Sequence, residues 1–174
     1  VRRLAAGGPL FDVVLEEGPL SPTVALEYFC DLCAAVAHCH ANGAAFVRLR
    51  PEHLLLSDES TLLLIPPADA QSALARATTC MDVDSLAAAS PAAELFAASK
   101  HADVRSSAVL LYSMLTTLPP PPTEYLLRCA TEGFPSVDEF GRQLPPSVRS
   151  LWCRMLNVDA PARPAALGAS QAAL

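Results

Sequence analysis

The most regular pattern in the chain is an apolar stripe that follows Ser21 and Pro22. Apolar side chains recur at steps of three and four residues through Ala25, Phe29, Leu32 and Val36, and the pattern continues to His40. This spacing places them on one face of a helix of about 20 residues. Ser21 is suited to cap the helix start, Pro22 to the first helical position, and Gly43 to the helix end.

Two short apolar runs follow this helix, at residues 53–56 and 62–65. The polar residues 57–60 between them have turn chemistry, so the pattern predicts a small β-hairpin. Residues 104–117 are apolar on nearly every side, which is typical of a central helix that others pack around. Shorter helices are expected near residues 9–16, 124–132 and 147–156, with a long loop containing helical pieces over residues 68–99.

Composition favours an ordered chain with protein rather than nucleic-acid partners. Of the 174 residues, 52% are hydrophobic and 17% charged, and the formal net charge is −6. A net acidic surface does not attract nucleic acid or an anionic membrane. No apolar run reaches the roughly 20 residues of a membrane-spanning helix, and the first residues lack the apolar centre of a signal peptide. We therefore expect an intracellular, cytoplasmic protein.

Six cysteines occupy positions 30, 33, 39, 80, 129 and 153. Without a signal peptide, free thiols are favoured over disulfides. Cys30 and Cys33, with His38, Cys39 and His40 nearby, leave open a zinc-binding helical module. Both cysteines of the pair lie on one helix, where cysteine behaves as a small hydrophobe, so we expect no metal and no cofactor.

The order of these elements resembles the C-terminal lobe of a eukaryotic serine/threonine protein kinase of the calcium/calmodulin-dependent and AMP-activated group. VRRLAAGGPLFDVV is similar to the end of that family's hinge and the helix after it. LEYFCDLCAAVAHCHANG resembles the long helix before the catalytic loop, and VDAPARPAA the D-P-x-x-R segment near the lobe's end. The resemblance implies a mainly α lobe over residues 1–166, a helical bundle around a buried apolar helix with a small hairpin, and a tail over 167–174.

The resemblance also implies that the chemistry has been lost. The family's catalytic loop, H-R-D-L-K-P-E-N, aligns with FVRLRPEH, so the aligned positions are Phe46, Val47, Arg48, Arg50 and His53. Arg48 stands at the catalytic Asp, and a guanidinium has no acceptor with which to take a proton. His53 stands at the Mg²⁺-binding Asn, although magnesium prefers oxygen ligands.

The metal-binding D-F-G segment aligns with Pro66, Pro67 and Ala68, unless a shifted alignment brings in Asp69. The Gly-rich loop, the strand Lys and its Glu partner belong to the N-terminal lobe. Because the chain begins at the hinge, we expect that lobe to be absent and no catalytic, nucleotide-binding or metal-binding set to be intact.

Residues with structural roles in the family are better preserved. Ala92-Ala93-Glu94 is similar to the family's A-P-E, and the resemblance implies an ion pair between Glu94 and Arg163. Asp103 matches the Asp that hydrogen-bonds the catalytic-loop backbone, and it is also suited to cap the start of the central helix. Thr78 is a candidate phosphosite; the alternative is a plain polar loop.

Three hypotheses on the function remain. The first is a degenerate, pseudokinase-like lobe without phosphotransfer that acts as a scaffold for a protein partner. The second is part of a longer serine/threonine kinase that binds ATP and Mg²⁺ through an N-terminal lobe encoded upstream. The third is the Cys/His metal-binding module. A basic cluster of Arg48, Arg50 and His53 could bind a phosphorylated peptide or another anion; the alternative is that Arg50 and Glu52 are solvated loop charges.

Overall fold

The computed structural model describes residues 7–46, 49–57, 61–65, 91–117 and 145–156, together with Glu124 and Glu132, which are helical. For residues 91–95 it describes the backbone only. In this part of the chain the architecture is mostly helical with a small antiparallel sheet, as the sequence predicts. The elements in chain order are β1 (Gly8–Pro9), α1 (Leu10–Glu17), α2 (Pro22–Ala41), a 3₁₀ turn (Pro51–His53), β2 (Leu54–Leu56), β3 (Leu62–Leu64), α3 (Pro91–Thr116) and α4 (Pro146–Met155).

The sheet has the order β1-β2-β3, with both pairings antiparallel. The predicted hairpin is confirmed: β2 and β3 pair with Leu55 opposite Leu63. The strand β1 was not predicted, because a two-residue Gly-Pro strand carries no alternating pattern. A Cβ atom on the preceding Gly7 would lie 2.9 Å from Leu56 Cβ and 2.9 Å from Ser57 O. Glycine at this position therefore allows the chain to approach β2 closely.

Helix α2 forms as the apolar stripe predicts. The Ser21 hydroxyl accepts a hydrogen bond from the Val24 N–H at 3.4 Å, and Gly43, with φ of 75°, follows the C-terminal end, where a left-handed residue is common. The stripe itself is completely buried at Ala25, Phe29, Leu32 and Val36. The helix packs against α3 and β3.

Helix α3 corrects two expectations. It begins at Pro91 and spans 26 residues, so residues 91–99, expected to belong to a long loop with helical pieces, are continuous with the central helix. Proline is favoured in the first helical turn and alanine throughout a helix, which explains the earlier start. Asp103 lies inside this helix, so the helix N-cap that the sequence also allowed for it is wrong.

The second half of α3 lies in the core. Its residues are buried without a break from Leu110 to Thr116. Helix α4, which was predicted, packs against it through Val148, Leu151, Trp152 and Met155, all nearly inaccessible to solvent. The Trp152 and Tyr112 rings meet at 5.8 Å between centroids, with a 53° tilt. The core of the described chain is thus built by all four helices, the leucines of the sheet, and Phe46 and Leu49.

Among the described residues no helix is both long and apolar enough to cross a bilayer. The predicted helix at 124–132 lies outside the described residues except for its helical ends, Glu124 and Glu132. The boundary between lobe and tail, at residues 166 and 167, also lies outside them.

Candidate functional site

The segment that aligns with the kinase catalytic loop runs from Phe46 to β2. Phe46 and Leu49 are buried, 7% and 6% exposed, and their side chains belong to the core. Pro51 begins the 3₁₀ turn, where its fixed φ suits a first helical position, and Leu54 then enters the core. Val47 and Arg48 lie outside the described residues, so the role of Arg48 at the catalytic-Asp position stays a prediction.

Asp103 connects this loop to α3. Its carboxylate is completely buried, and Oδ2 accepts a hydrogen bond from the backbone N–H of Phe46 at 2.8 Å. This is the contact with the loop backbone that the resemblance implies. The second oxygen, Oδ1, is buried without a hydrogen-bond partner among the described residues. A buried carboxylate is costly unless it is paired, so this contact ties the loop strongly to the helix.

His40 provides the second partner of Asp103. Its Nε2 lies 2.9 Å from Asp103 Oδ2, and its side chain is only 11% exposed. The sequence placed His40 at the end of the apolar stripe but did not foresee this partner. The position of His40 on the apolar stripe could have indicated such a partner, since an imidazole on a buried helix face needs a polar group opposite it.

His53 is held by the loop itself. Its Nδ1 accepts a hydrogen bond from the Arg50 backbone N–H at 3.2 Å. An imidazole nitrogen that accepts a hydrogen bond carries no proton, so the ring N–H is at Nε2. Neither nitrogen then offers a free lone pair to a cation.

Arg50 and Glu52 form an ion pair at the surface. Arg50 Nη1 lies 3.4 Å from Glu52 Oε1, with 55% and 61% of the two side chains exposed. The pKa of Glu52 is lowered, first because its carboxylate accepts a hydrogen bond from its own backbone N–H and, to a lesser degree, by Arg50. Pairs this exposed contribute little stability. Within the described loop, the positive charge of Arg50 is therefore matched by a neighbour and solvated.

These observations do not fit a magnesium site at the described part of the loop. Magnesium requires oxygen ligands in near-octahedral geometry. The position that the family fills with Asn carries an imidazole whose Nδ1 is already bonded, and the neighbouring carboxylate of Glu52 faces Arg50.

Other candidate residues of the sequence lie outside the described residues. These are the D-F-G positions Pro66, Pro67 and Ala68, the candidate phosphosite Thr78, the side chain of Glu94 and its expected partner Arg163. Among the described residues, hydrogen bonds connect Phe46 and His40 to Asp103, and a second set connects Arg50 to Glu52 and His53.

The cysteines of α2 sit at different depths. Cys33 is buried, and burial raises the pKa of its thiol, with a smaller contribution from Cys30. The pKa of Cys39 is also raised, first by burial and then by Asp103. Where side chains are described, no group of three or more His, Cys, Asp or Glu residues could hold a metal ion. A buried neutral thiol is a poor metal ligand, since the thiolate is the form that binds.

No protein-family model matches the chain, but individual proteins do. The chain is 40% identical over 62 residues to CBL-interacting serine/threonine-protein kinase 24 of Arabidopsis thaliana, which is 36% of this chain and 14% of that kinase. It is 42% identical over 62 residues to CBL-interacting protein kinase 11 of Oryza sativa subsp. japonica, 36% of this chain and 12% of that kinase.

A longer match extends over most of the chain. The carbon catabolite-derepressing protein kinase of Candida tropicalis is 29% identical over 161 residues, which is 88% of this chain and 25% of that kinase. The chain therefore spans between about an eighth and a quarter of the length of these relatives. The resemblance to protein kinases is confirmed at this level: the chain is similar to a part of serine/threonine protein kinases.

Proposed function

We propose that this chain is a degenerate protein-kinase C-lobe of the calcium/calmodulin-dependent and AMP-activated group, that it does not transfer phosphate, and that it serves as a binding module for a protein partner. The observation that carries the proposal is the use of His53. The side chain at the magnesium-ligand position is hydrogen-bonded to the loop's own backbone.

Loss of the base supports the same conclusion. Phosphoryl transfer depends almost entirely on positioning and on stabilising charge with metal ions. At the position of the residue that would accept the substrate proton, the sequence has Arg48, whose guanidinium has only donors. At the second metal position it has Pro66, which offers no carboxylate.

The parts of the lobe that support folding are retained, in contrast to the parts that support chemistry. Asp103 still holds the loop backbone at Phe46, and His40 still faces the same carboxylate oxygen. Buried contacts that hold the loop, beside positions that lack the reactive groups, are what we expect of a lobe that is used for its surface. This contrast supports the proposed role in binding a protein partner.

A second candidate is a region of a longer serine/threonine kinase that binds ATP and Mg²⁺. It is favoured by the match over 161 residues to a quarter of a named protein kinase. In that case a nucleotide site would be completed by other parts of the protein, and the loop would have to act without the usual base.

The experiment is transfer of labelled phosphate from ATP in the presence of Mg²⁺ to a general protein substrate, using the purified chain. We expect no transfer above that of a heat-inactivated sample. The matched variant is His53→Ala, which removes the group at the metal position. Transfer by the chain that His53→Ala abolishes would overturn the proposal, because it would show that His53 serves the reaction.

A further inference from the structure

The C-terminal end of α2 leads into an Asn-Gly pair, Asn42-Gly43. Both residues are exposed to solvent. Glycine has no Cβ, so nothing crowds the backbone nitrogen that follows the asparagine. This nitrogen is the nucleophile that can attack the side-chain amide of the asparagine before it.

The other asparagine of the sequence, Asn157, is followed by Val158. Valine is branched at Cβ, which makes the backbone beside it crowded and stiff. The chain therefore carries the same side chain at positions 42 and 157 with opposite neighbours, and position 157 serves as an internal reference for the reactivity of position 42.

Contacts with His38 orient the side-chain amide of Asn42. The atom Nδ2 donates a hydrogen bond to His38 O at 2.8 Å. Because a carbonyl oxygen only accepts, the amide atom that faces it is the nitrogen and not the oxygen. His38 Nε2 lies 3.5 Å from the same nitrogen. The imidazole therefore lies beside the atom that leaves when an asparagine loses its amide.

Long hydrogen bonds hold the helix end around Asn42. The Gly43 N–H donates to His40 O at 3.3 Å, and the Asn42 N–H is shared between His38 O at 3.2 Å and Cys39 O at 3.0 Å. Shared bonds of this kind are usual at helix ends, which fray. With ψ of 18° at Asn42, the Gly43 nitrogen points away from the Asn42 side chain. The helix end therefore has to open before the two groups meet.

We propose that Asn42 is a site of spontaneous deamidation and that His38 assists the reaction. The Gly43 nitrogen loses its proton to water and forms a bond to Asn42 Cγ, and the bond between Cγ and Nδ2 breaks. Nδ2 leaves as ammonia with a proton that the His38 imidazolium gives and then recovers from water. Water opens the cyclic imide at either carbonyl, which yields aspartate or isoaspartate. The net reaction consumes water, releases ammonia and requires no oxidant.

The product alters the connection between α2 and the loop at Phe46. A carboxylate at position 42 cannot donate to His38 O, and it places a negative charge at a helix C-terminus, where such a charge is unfavourable. Asn42→Asp reproduces the aspartate product and should lower the urea midpoint by about 0.3–0.5 M. An unchanged midpoint would contradict the contact of the amide with His38 O.

The test is peptide mapping by mass spectrometry during incubation of the purified chain, beside a synthetic peptide of residues 38–46. Each conversion adds about 1 Da, and chromatography separates the aspartate and isoaspartate forms. We expect both forms at position 42 and at least about tenfold less conversion at position 157. Opening the helix end breaks about two exposed hydrogen bonds, so the folded chain should react about tenfold more slowly than the peptide.

The variant His38→Gln tests the imidazole. Glutamine remains polar and is compatible with a helix, but its amide cannot supply a proton. We expect His38→Gln to react at least about threefold more slowly than the unaltered chain, and imidazole added to the solution to restore part of the rate. The matched control is the urea midpoint of both chains, which shows whether the helix has changed in stability.

Three outcomes overturn the inference. Equal conversion at positions 42 and 157 would mean that Gly43 has no part in the reaction. A folded chain that reacts more than about a hundredfold more slowly than the peptide would mean that the fold protects Asn42. Equal rates with and without the imidazole of His38 would remove its role. None of these outcomes bears on phosphate transfer, so this inference and the proposed function fail separately.

Discussion

Replacement of Asp103 by alanine should destabilise the lobe more than any change at its surface. The carboxylate is completely buried, and one oxygen serves two neighbours, the Phe46 N–H at 2.8 Å and His40 Nε2 at 2.9 Å. Alanine would leave the buried Phe46 N–H without an acceptor, which costs about 1–3 kcal/mol, and would remove the His40 contact, worth about 1 kcal/mol. We therefore expect a loss of about 2–4 kcal/mol.

The measurement is the free energy of unfolding from urea titration. With a slope of about 2 kcal/mol per molar urea, the midpoint should fall by about 1–2 M. Asp103→Asn keeps an acceptor oxygen but places an amide where Oδ1 has no partner among the described residues, so an intermediate loss is expected. The matched control is Asp31→Ala, an exposed carboxylate on α2, which should change stability by less than about 0.5 kcal/mol.

A double-mutant cycle with His40→Ala separates the two contacts. If His40 acts through Asp103, the effects of the two variants should fall short of additive by about 1 kcal/mol. The reasoning is refuted if Asp103→Ala is as mild as Asp31→Ala. If the effects of His40→Ala and Asp103→Ala are additive, the contact between these two side chains is refuted, but the contact of Asp103 with the Phe46 N–H is not.

Three further changes test the fold. Burial, with Cys30, raises the pKa of the Cys33 thiol. The stability that the neutral thiol contributes is complete below the usual thiol pKa of about 8.5 and is lost as the pH rises above it, by up to about 1.4 kcal/mol per pH unit. The free energy of unfolding should therefore fall less between pH 8 and pH 10 in Cys33→Ala than in the unaltered protein. Gly7→Ala puts a Cβ 2.9 Å from Leu56 Cβ and should lower stability in urea by about 1–3 kcal/mol. Thr117, with φ of 59°, follows α3 in a left-handed conformation that costs a β-branched residue about 1–2 kcal/mol, so Thr117→Gly should raise the Tm by about 2–4 °C.

The sequence predicted the elements whose residues repeat a strong local pattern. Helix α2 has a capping residue, a regular apolar stripe and a terminal glycine, and the stripe residues from Ala25 to Val36 are buried as expected. The leucines of the hairpin are unmistakable on both sides of a polar turn. Helix α4 likewise has a proline start and a clear apolar face.

Other features depend on residues distant in the sequence. The strand β1 exists because Gly7 and Gly8 fit against Leu56, a contact between segments about 48 residues apart. Asp103 was assigned both a cap and a loop contact, and only its partners 57 and 63 residues away decide between them. The start of α3 at Pro91 was not predicted, because the alanine-rich first part of the helix lacks a periodic apolar face.

For the candidate site, the sequence identified which positions had changed but not what the new side chains do. The bond between His53 Nδ1 and the Arg50 N–H requires a loop geometry that spacing does not report. The pairing of Arg50 with Glu52 is an i, i+2 contact at the start of the 3₁₀ turn, whereas the rule for α-helices concerns residues three and four apart.

The most direct test of the account follows the imidazole nitrogens of His53 by NMR during titration with Mg²⁺ and ATP. The account predicts that Nδ1 shows the shift of an unprotonated, hydrogen-bonded nitrogen, that Nε2 carries the proton, and that neither signal moves as the titrants are added. Saturable shifts of the His53 nitrogens together with the Phe46 and Leu54 amides would contradict it, because they would show that the loop still forms a metal–nucleotide site.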